Sequence, residues 1–84
     1  MRIVYLHEFL AEFTSLDRPV QQQLRKKLDE MARADLRSFP HQPLQGPQFK
    51  GLFKCRAGDW RLIYQVRGEE VCFITLGHRS DVYR

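Results

Sequence analysis

The sequence predicts an α+β domain in which two N-terminal helices pack on one face of a small, mainly antiparallel β-sheet. Three observations support this fold class. Apolar residues recur at helical spacing through the first third of the chain, a proline-rich loop follows at residues 35–48, and three β-prone runs complete the sequence. A chain of 84 residues supports one core, so residues 1–84 are predicted to form a single domain.

The N-terminal part is predicted to contain a short β-prone start at residues 2–5 and then two amphipathic helices. Asp17 is the candidate N-cap of the second helix, Pro19 suits its first turn, and this helix is expected to end near Ala34. Each helix carries an apolar stripe that would face the sheet. The stripe residues are Leu6, Phe9, Leu10, Phe13 and Leu16 in the first helix, and Val20, Leu24, Leu28 and Met31 in the second.

The C-terminal half is predicted to form an antiparallel meander. Three prolines and a glycine in residues 35–48 exclude a helix or a central strand from that loop. The turn at Gly58 and Asp59 and the turn at residues 67–69 are short, so the strands that they join must be antiparallel neighbours. The predicted strands cover residues 49–56, 60–66 and 71–76.

A two-residue turn at Gly58 and Asp59 determines which residues face each other across the first hairpin. Arg56 then lies opposite Arg61, with Lys54 and Gln65 on the same face. Opposed cations repel, so this face suits an anionic ligand such as phosphate, and a solvated face with splayed side chains is the alternative. The other face collects residues that would pack on the helices, namely Phe53, Cys55, Ala57, Trp60, Leu62 and Tyr64.

The net charge of +4 is concentrated in the C-terminal part of the chain. Residues 49–84 contain seven Lys or Arg against four Asp or Glu, whereas residues 1–48 contain seven against six. This distribution suits a polyanionic partner such as nucleic acid or an acidic protein segment, with solubility alone as the alternative.

The cysteine content and the hydropathy predict a cytoplasmic protein without a membrane partner. Two cysteines in a chain with no secretory signal are expected to be free thiols, and the turns would put Cys55 and Cys72 on opposite faces of the sheet. The longest apolar run is far shorter than the roughly 20 residues of a membrane span. Neither a metal-ligand spacing nor a Ser-His-Asp or Cys-His arrangement is evident.

Two segments resemble a known protein family. PLQGPQFKGLFKCRAGDWRLIYQV at residues 43–66 and ITLGHRSDVYR at residues 74–84 resemble the RelE branch of the RelE/ParE superfamily, the toxins of type II toxin–antitoxin modules. The resemblance depends on the order and spacing of three elements: Leu-x-Gly, then K-x-R-x-G-D-aromatic-R with a following tyrosine, and the terminal G-H-R-S-D-V-Y.

The resemblance implies a ribosome-dependent mRNA endoribonuclease that cleaves A-site codons, inhibits translation and uses neither a metal nor another cofactor. In that family the 2′-OH of the RNA attacks the adjacent phosphate and leaves a 2′,3′-cyclic phosphate and a 5′-OH. Preorganised cations suit this reaction because they stabilise the negative charge of the transition state more than that of the ground state.

The resemblance also implies roles for individual side chains. Arg61 would stabilise the charged phosphate, and Lys54 would activate the 2′-OH. Arg79 would assist the leaving 5′-oxygen or hold a phosphate, and Tyr83 would stack on or orient a nucleotide at the cut. His78 would act as a general acid or base, or would only shape the end of its strand.

Three further residues are predicted to contact RNA, namely Arg56, Lys50 and Gln65. RelE toxins carry a second lysine at a position where this chain has Leu52. Lys50 lies two residues earlier and would share the face of Lys54 only if the strand runs regularly that far.

The C-terminal tail is predicted to complete the site. Gly77 would let the chain leave the sheet, and a turn at Ser80 and Asp81 would return Arg79 and Tyr83 to the cationic face.

The resemblance implies a RelB-like antitoxin as partner, with promoter DNA contacted only through the toxin–antitoxin complex. Two alternatives stay open. A ParE-like toxin shares the fold but poisons DNA gyrase by protein–protein binding, and a degenerate member would only bind an antitoxin. The presence of Lys54, Arg61 and Tyr83 favours the nuclease over the gyrase poison.

Overall fold

The protein is described by a computed structural model that covers residues 1–79 and contains two helices packed on one mixed β-sheet. The elements are β1 Arg2–Tyr5, α1 His7–Thr14, α2 Arg18–Arg33, β2 Gln42–Pro43, β3 Leu52–Ala57, β4 Trp60–Arg67 and β5 Glu70–His78, with a 3₁₀ turn at Pro47–Phe49. The strand order is β1-β5-β4-β3-β2. These elements confirm the predicted α+β class.

The first helix, α1, buries a narrower stripe than predicted. It begins after Leu6, whose backbone is extended and whose N–H donates to the carbonyl oxygen of Phe73 at 2.9 Å. Phe9 and Phe13 are buried, whereas Leu10 is 44% exposed. Leu10 lies about 100° around the helix from Phe9, so a helix that packs through one stripe leaves it in solvent. The prediction that Leu10 joins the buried stripe is therefore wrong.

The second helix, α2, confirms the prediction closely. Asp17 occupies the N-cap position, although its side chain makes no capping hydrogen bond, and Pro19 lies in the first turn. The core-facing stripe contains Leu24, Leu28 and Met31, all of them buried. Neither α2 nor α1, the helices of the described residues, is long and apolar enough to cross a membrane.

The two hairpins have the predicted tight turns. Arg56 lies opposite Arg61, and every other pair of the β3–β4 register inferred from the turn is also present. Gly58 and Gly68 have φ angles of 63° and 60°, and within residues 1–79 no residue other than glycine has a positive φ. A positive φ at only the first of two central residues is the pattern of a type II′ turn, which matches the twist of the flanking strands.

Two predicted strand limits are wrong by two or more residues. Phe49 belongs to the 3₁₀ turn and Gly51 has a φ of 82°, so β3 begins at Leu52 rather than at residue 49. Lys50 therefore lies in a turn, and the regular strand that would have placed it beside Lys54 does not extend that far.

At the other end of the sheet, β5 ends at His78 rather than at Leu76. Gly77 pairs with Arg61 inside the sheet, so the chain does not leave the sheet at this glycine as predicted. Ladder pairing uses only backbone groups, and a glycine can therefore remain in the strand.

β1 and β2 form the two edges of the sheet, outside the predicted three-stranded meander. β1 pairs in parallel with β5, from Arg2 opposite Glu70 onward. No turn links these two strands, because α1, α2 and the rest of the sheet lie between them in the chain, so local sequence could not indicate the pairing. β2 pairs with β3 over two residues at the opposite edge, where proline is tolerated.

The core lies between the helices and one face of the sheet, and aromatic rings dominate it. Tyr64 and Phe73 are fully buried with ring centroids 5.3 Å apart, and Phe9 lies 5.4 Å from Phe73. The assignment of Tyr64 to the core is confirmed, and Trp60 is partly buried against the same cluster.

A part-buried hydrogen-bond chain ties the long loop to this core. Nε2 of His41 lies 2.8 Å from the carbonyl oxygen of Leu36, which can only accept, so Nε2 carries the proton. In the tautomer that carries its proton on Nε2, Nδ1 accepts from the Tyr64 hydroxyl at 2.7 Å. Burial, with a smaller contribution from nearby Cys55, raises the pKa of Tyr64, so this hydroxyl keeps its proton.

Both cysteines are free thiols, as predicted. Cys55 lies in the helix-facing core, 3.6 Å from the sulfur of Met31. Cys72 is paired with Gln65 on β4, and alternation along the strands puts it on the opposite face of the sheet.

Candidate nucleic-acid interface

Three neighbouring cations lie together on the sheet face that points away from the helices. Lys54 and Arg56 alternate on β3, and Arg61 lies on β4 directly opposite Arg56. Lys54 and Arg61 are diagonal neighbours, which places their backbones about 7–8 Å apart. We call the surface formed by Lys54, Arg56 and Arg61 the basic face. On the other side of Arg61 lies Gly77, which has no side chain to occupy the adjacent space.

Arg61 has an unusual environment on this face. Its Nη1 atom is shielded from solvent and has no hydrogen-bond partner in the described part of the chain. A shielded guanidinium nitrogen without an acceptor costs free energy, because it loses water without a replacement. An anionic oxygen at this position would supply the missing acceptor, and a guanidinium is well shaped to bind phosphate.

Arg79 lies at the end of the basic face. Its backbone N–H donates to the carbonyl oxygen of Asp59 at 2.8 Å, and its guanidinium is 3.9 Å from the Asp59 carboxylate. Both side chains are largely exposed, so this ion pair is weak. Arg79 follows Gly77 by two residues, and its side chain is available to an anion near Arg61.

His78 is not on the basic face. It pairs with Trp60 across β4 and β5, with the two rings edge to face and their centroids 5.6 Å apart. Strand alternation puts this pair on the opposite side of the sheet from Arg61. The structure therefore brings Lys54, Arg56 and Arg61 together and leaves His78 on the other side of the sheet end.

Of the remaining predicted RNA contacts, Gln65 lies beside the basic face and Lys50 lies outside it. Gln65 is four residues from Arg61 along β4, about 13 Å, but it is a diagonal neighbour of Lys54 on the same face. Its side-chain oxygen accepts a hydrogen bond from Arg67 at 2.8 Å. Lys50 is exposed in the turn that precedes β3. Tyr83, and the turn predicted at residues 80–81, lie outside the described residues.

A small cleft adjoins the basic face at Lys54. It has a volume of about 250 Å³ and is lined by Leu44, Gln45, Phe49 and Lys54. Sequence patterns did not point to Gln45 or Phe49, because one lies in a proline-rich loop and the other was assigned to a strand. The local signal was the glycine of the Leu-Gln-Gly-Pro run, since Gly46 has a φ of 105° and turns the loop back toward the sheet.

The described residues show neither an activated Cys55 thiol nor a cluster of metal-binding side chains. Burial raises the pKa of Cys55 to about 12, against a smaller opposing effect of Lys27, so its thiol is not a ready nucleophile. Within residues 1–79, no cluster of three or more His, Cys, Asp or Glu side chains is arranged to hold a metal ion. The chemistry available on the basic face is therefore that of its cations.

The chain matches known toxins over nearly its whole length. The family model for the ParE toxin of the type II toxin–antitoxin system parDE matches residues 3–83. A curated Escherichia coli protein described as a RelE-like toxin is 34% identical over 86 residues, covering 98% of this chain and 88% of that protein.

Solved structures share the fold. YafQ from E. coli has a TM-score of 0.75 at 21% identity with both chains fully covered. The isolated E. coli RelE toxin has a TM-score of 0.71 at 30% identity, covering 98% of this chain and 89% of that one. The toxin–antitoxin complex RelBE2 of Mycobacterium tuberculosis has a TM-score of 0.74 at 22% identity, with 95% and 92% covered. The chain therefore belongs to the RelE/ParE superfamily of type II toxin–antitoxin toxins.

Proposed function

We propose that this toxin is an endoribonuclease that cleaves mRNA in the ribosomal A site, without a metal ion, and so inhibits translation. The observation that carries the proposal is the shielded Nη1 of Arg61, which has no hydrogen-bond partner among residues 1–79, on a face that also holds Lys54 and Arg56. The 34% identity to a RelE-like toxin supports the same choice.

The proposed reaction is an attack by the 2′-OH of one nucleotide on its own 3′-phosphate. The O2′–P bond forms while the P–O5′ bond breaks, which yields a 2′,3′-cyclic phosphate and a 5′-OH. Lys54 accepts the 2′ proton, and Arg61 binds the phosphoryl oxygens where negative charge accumulates. Arg79 stabilises the departing 5′-oxygen, which takes a proton from water to become the 5′-OH, and Tyr83 orients a nucleotide at the cut.

His78 has a smaller part in this proposal than the sequence suggested. Its edge-to-face contact with Trp60 supports the role of shaping the end of the strand. In this proposal the groups that accept the 2′ proton and stabilise the leaving oxygen belong to the basic face and the C-terminal tail, and not to His78.

A ParE-like gyrase poison is the second candidate, and the match to a ParE family model favours it. Such a toxin acts by protein–protein binding and needs no catalytic cations. The two functions differ in what stops first in the cell, so they can be separated directly.

The decisive experiment is a short induction of the toxin in bacteria, followed by sequencing of RNA ends that carry a 5′-OH. We expect cleaved mRNA within minutes and a loss of cleavage of about a hundredfold or more for Arg61→Ala. Arg67→Ala is the matched control, because Arg67 lies on the same strand and face about 20 Å away and should leave cleavage unchanged.

Two results would contradict the nuclease. Intact mRNA together with a DNA-damage response would support gyrase poisoning. Normal cleavage by the Arg61→Ala variant would remove Arg61 from the mechanism.

The proposed protein partner is a RelB-like antitoxin. RelB–RelE complexes are among the similar solved structures, which supports this class of partner. Promoter DNA would be contacted only through that complex. Co-expression with a RelB-like antitoxin should restore growth and yield a complex that co-purifies; failure of both would argue against this partner.

A further inference from the structure

We propose that the cleft beside Lys54 holds one RNA base next to the cut, and that Gln45 and Phe49 determine which base is preferred. This inference rests on the proposed nuclease function and adds a specificity site to it. The cleft is lined by Leu44, Gln45, Phe49 and Lys54 and measures about 250 Å³.

The cleft wall is built from backbone that is held in place. Leu44 is buried although it lies in a loop, and its N–H donates to the carbonyl oxygen of Leu52 at 3.0 Å. The N–H of Phe49 donates to the carbonyl oxygen of Gly46 at 3.1 Å, which closes the turn between Gln45 and Phe49. Two backbone hydrogen bonds therefore hold the loop segments that carry Gln45 and Phe49.

Gly46 is required for this shape. Its φ of 105° is strained for any other residue, and a Cβ atom built there would lie 2.9 Å from the side-chain oxygen of Gln48. The sharp turn at Gly46 directs Gln45 and Phe49 toward the same cleft.

The location of the cleft links it to the basic face. Lys54 belongs to both, since it lines the cleft and is a diagonal neighbour of Arg61. When Arg61 binds a phosphate, the base of the nucleotide that carries this phosphate can therefore enter the adjacent cleft.

The chemistry of the lining matches a nucleobase. Phe49 offers an aromatic face on which any base can stack, and Leu44 adds an apolar wall. Gln45 carries both a donor and an acceptor, which can read the polar edge of a base. Lys54 at the rim supplies a charge for the attached phosphate. An aliphatic side chain from a protein partner would use the apolar wall but not this combination.

The test maps cleavage sites genome-wide for the full-length toxin and three variants after short induction. We expect Phe49→Ala to lower the cleavage rate roughly tenfold. Gln45→Ala should slow cleavage at sites that carry the preferred base and so weaken the base preference at one position of the codon. Gln48→Ala is the matched control, because Gln48 lies in the same loop and does not line the cleft.

Phe49 is partly buried, so thermal unfolding is measured for each variant. Phe49→Leu keeps most of the apolar volume and removes the aromatic face. If Phe49→Ala unfolds, this variant tests whether the aromatic ring itself is needed for cleavage. A loss of rate in folded Phe49→Leu supports the inference.

Several outcomes overturn the inference alone. Unchanged rates and base frequencies in the Gln45 and Phe49 variants would show that the cleft reads no base. Normal cleavage combined with lost antitoxin binding would assign the cleft to a protein side chain. If the unaltered toxin cuts no mRNA, it is the proposed function that fails.

Discussion

Arg61 lies between Arg56 on β3 and Gly77 on β5, an arrangement that costs stability and leaves space for a ligand. Like charges directly opposite each other destabilise a strand pair, by up to about 1 kcal/mol. The shielded Nη1 of Arg61 adds to this cost. Bound phosphate would offset both effects, and this is the physical reason for assigning the phosphate to Arg61 rather than to the exposed Arg79.

Cys55 allows a prediction about stability at high pH. Burial raises its pKa from 9.0 to about 12, so between these values the unfolded chain releases a proton that the native chain keeps. The free energy of unfolding should therefore fall as pH rises above about 9, with a contribution from Cys55 of at most roughly 1.4 kcal/mol per pH unit.

Urea unfolding in reducing buffer at pH 7 and pH 10.5 measures this effect. Cys55→Ala should be less stable at pH 7, because it leaves a small cavity next to Met31, but should lose less stability on going to pH 10.5. Equal losses for the variant and the unaltered chain would show that the thiol does not contribute.

At the scale of elements, the loop at residues 35–48 is held by the chain from Leu36 through His41 to Tyr64. Tyr64→Phe leaves Nδ1 of His41 without its donor while keeping the buried ring. We expect a loss of about 1–3 kcal/mol in the free energy of unfolding, measured with urea.

Tyr5→Phe is the control for this change, because Tyr5 is partly exposed at the edge strand and should shift stability by less than about 0.5 kcal/mol. Faster hydrogen exchange of the Phe39 amide, which donates to the carbonyl oxygen of Asp35, would show that the loop itself loosens. Equal stability of the Tyr64 and Tyr5 variants would mean that the hydrogen bond does not hold the loop.

At the scale of the whole molecule, a net charge of +4 and an isoelectric point near 9.4 suit association with RNA. Affinity for a single-stranded RNA that carries a 2′-deoxy sugar at the cut should fall as salt rises, because binding releases counterions. Arg56→Ala should reduce the slope of log K against log salt by about 0.7, the contribution of one phosphate contact.

Arg67→Ala is again the control and should keep the slope, although it removes the same charge. An equal change in both variants would indicate that net charge alone, and not the basic face, governs binding. The measurement uses fluorescence anisotropy of the labelled RNA over a range of salt concentrations.

Much of this molecule could be predicted from sequence because its signals are local. The spacing of Leu24, Leu28 and Met31 predicted α2, and the two-residue turn at Gly58 predicted that Arg56 faces Arg61. Local signals failed where two conformations competed over the same few residues. Phe49 has a β-prone side chain, but it lies in a 3₁₀ turn that begins with a proline.

By itself, the sequence determined the fold class, the apolar stripe of α2, the β3–β4 hairpin register and therefore the cations that share the basic face, because periodicity and turn length act over a few residues. Tertiary structure decided the parallel pairing of β1 with β5, the placement of His78 beside Trp60, the isolation of Nη1 of Arg61 and the cleft beside Lys54. Each of these depends on contacts between segments that are distant in the chain or on the path of an irregular loop, and apart from the turn at Gly46 no local pattern encodes either one.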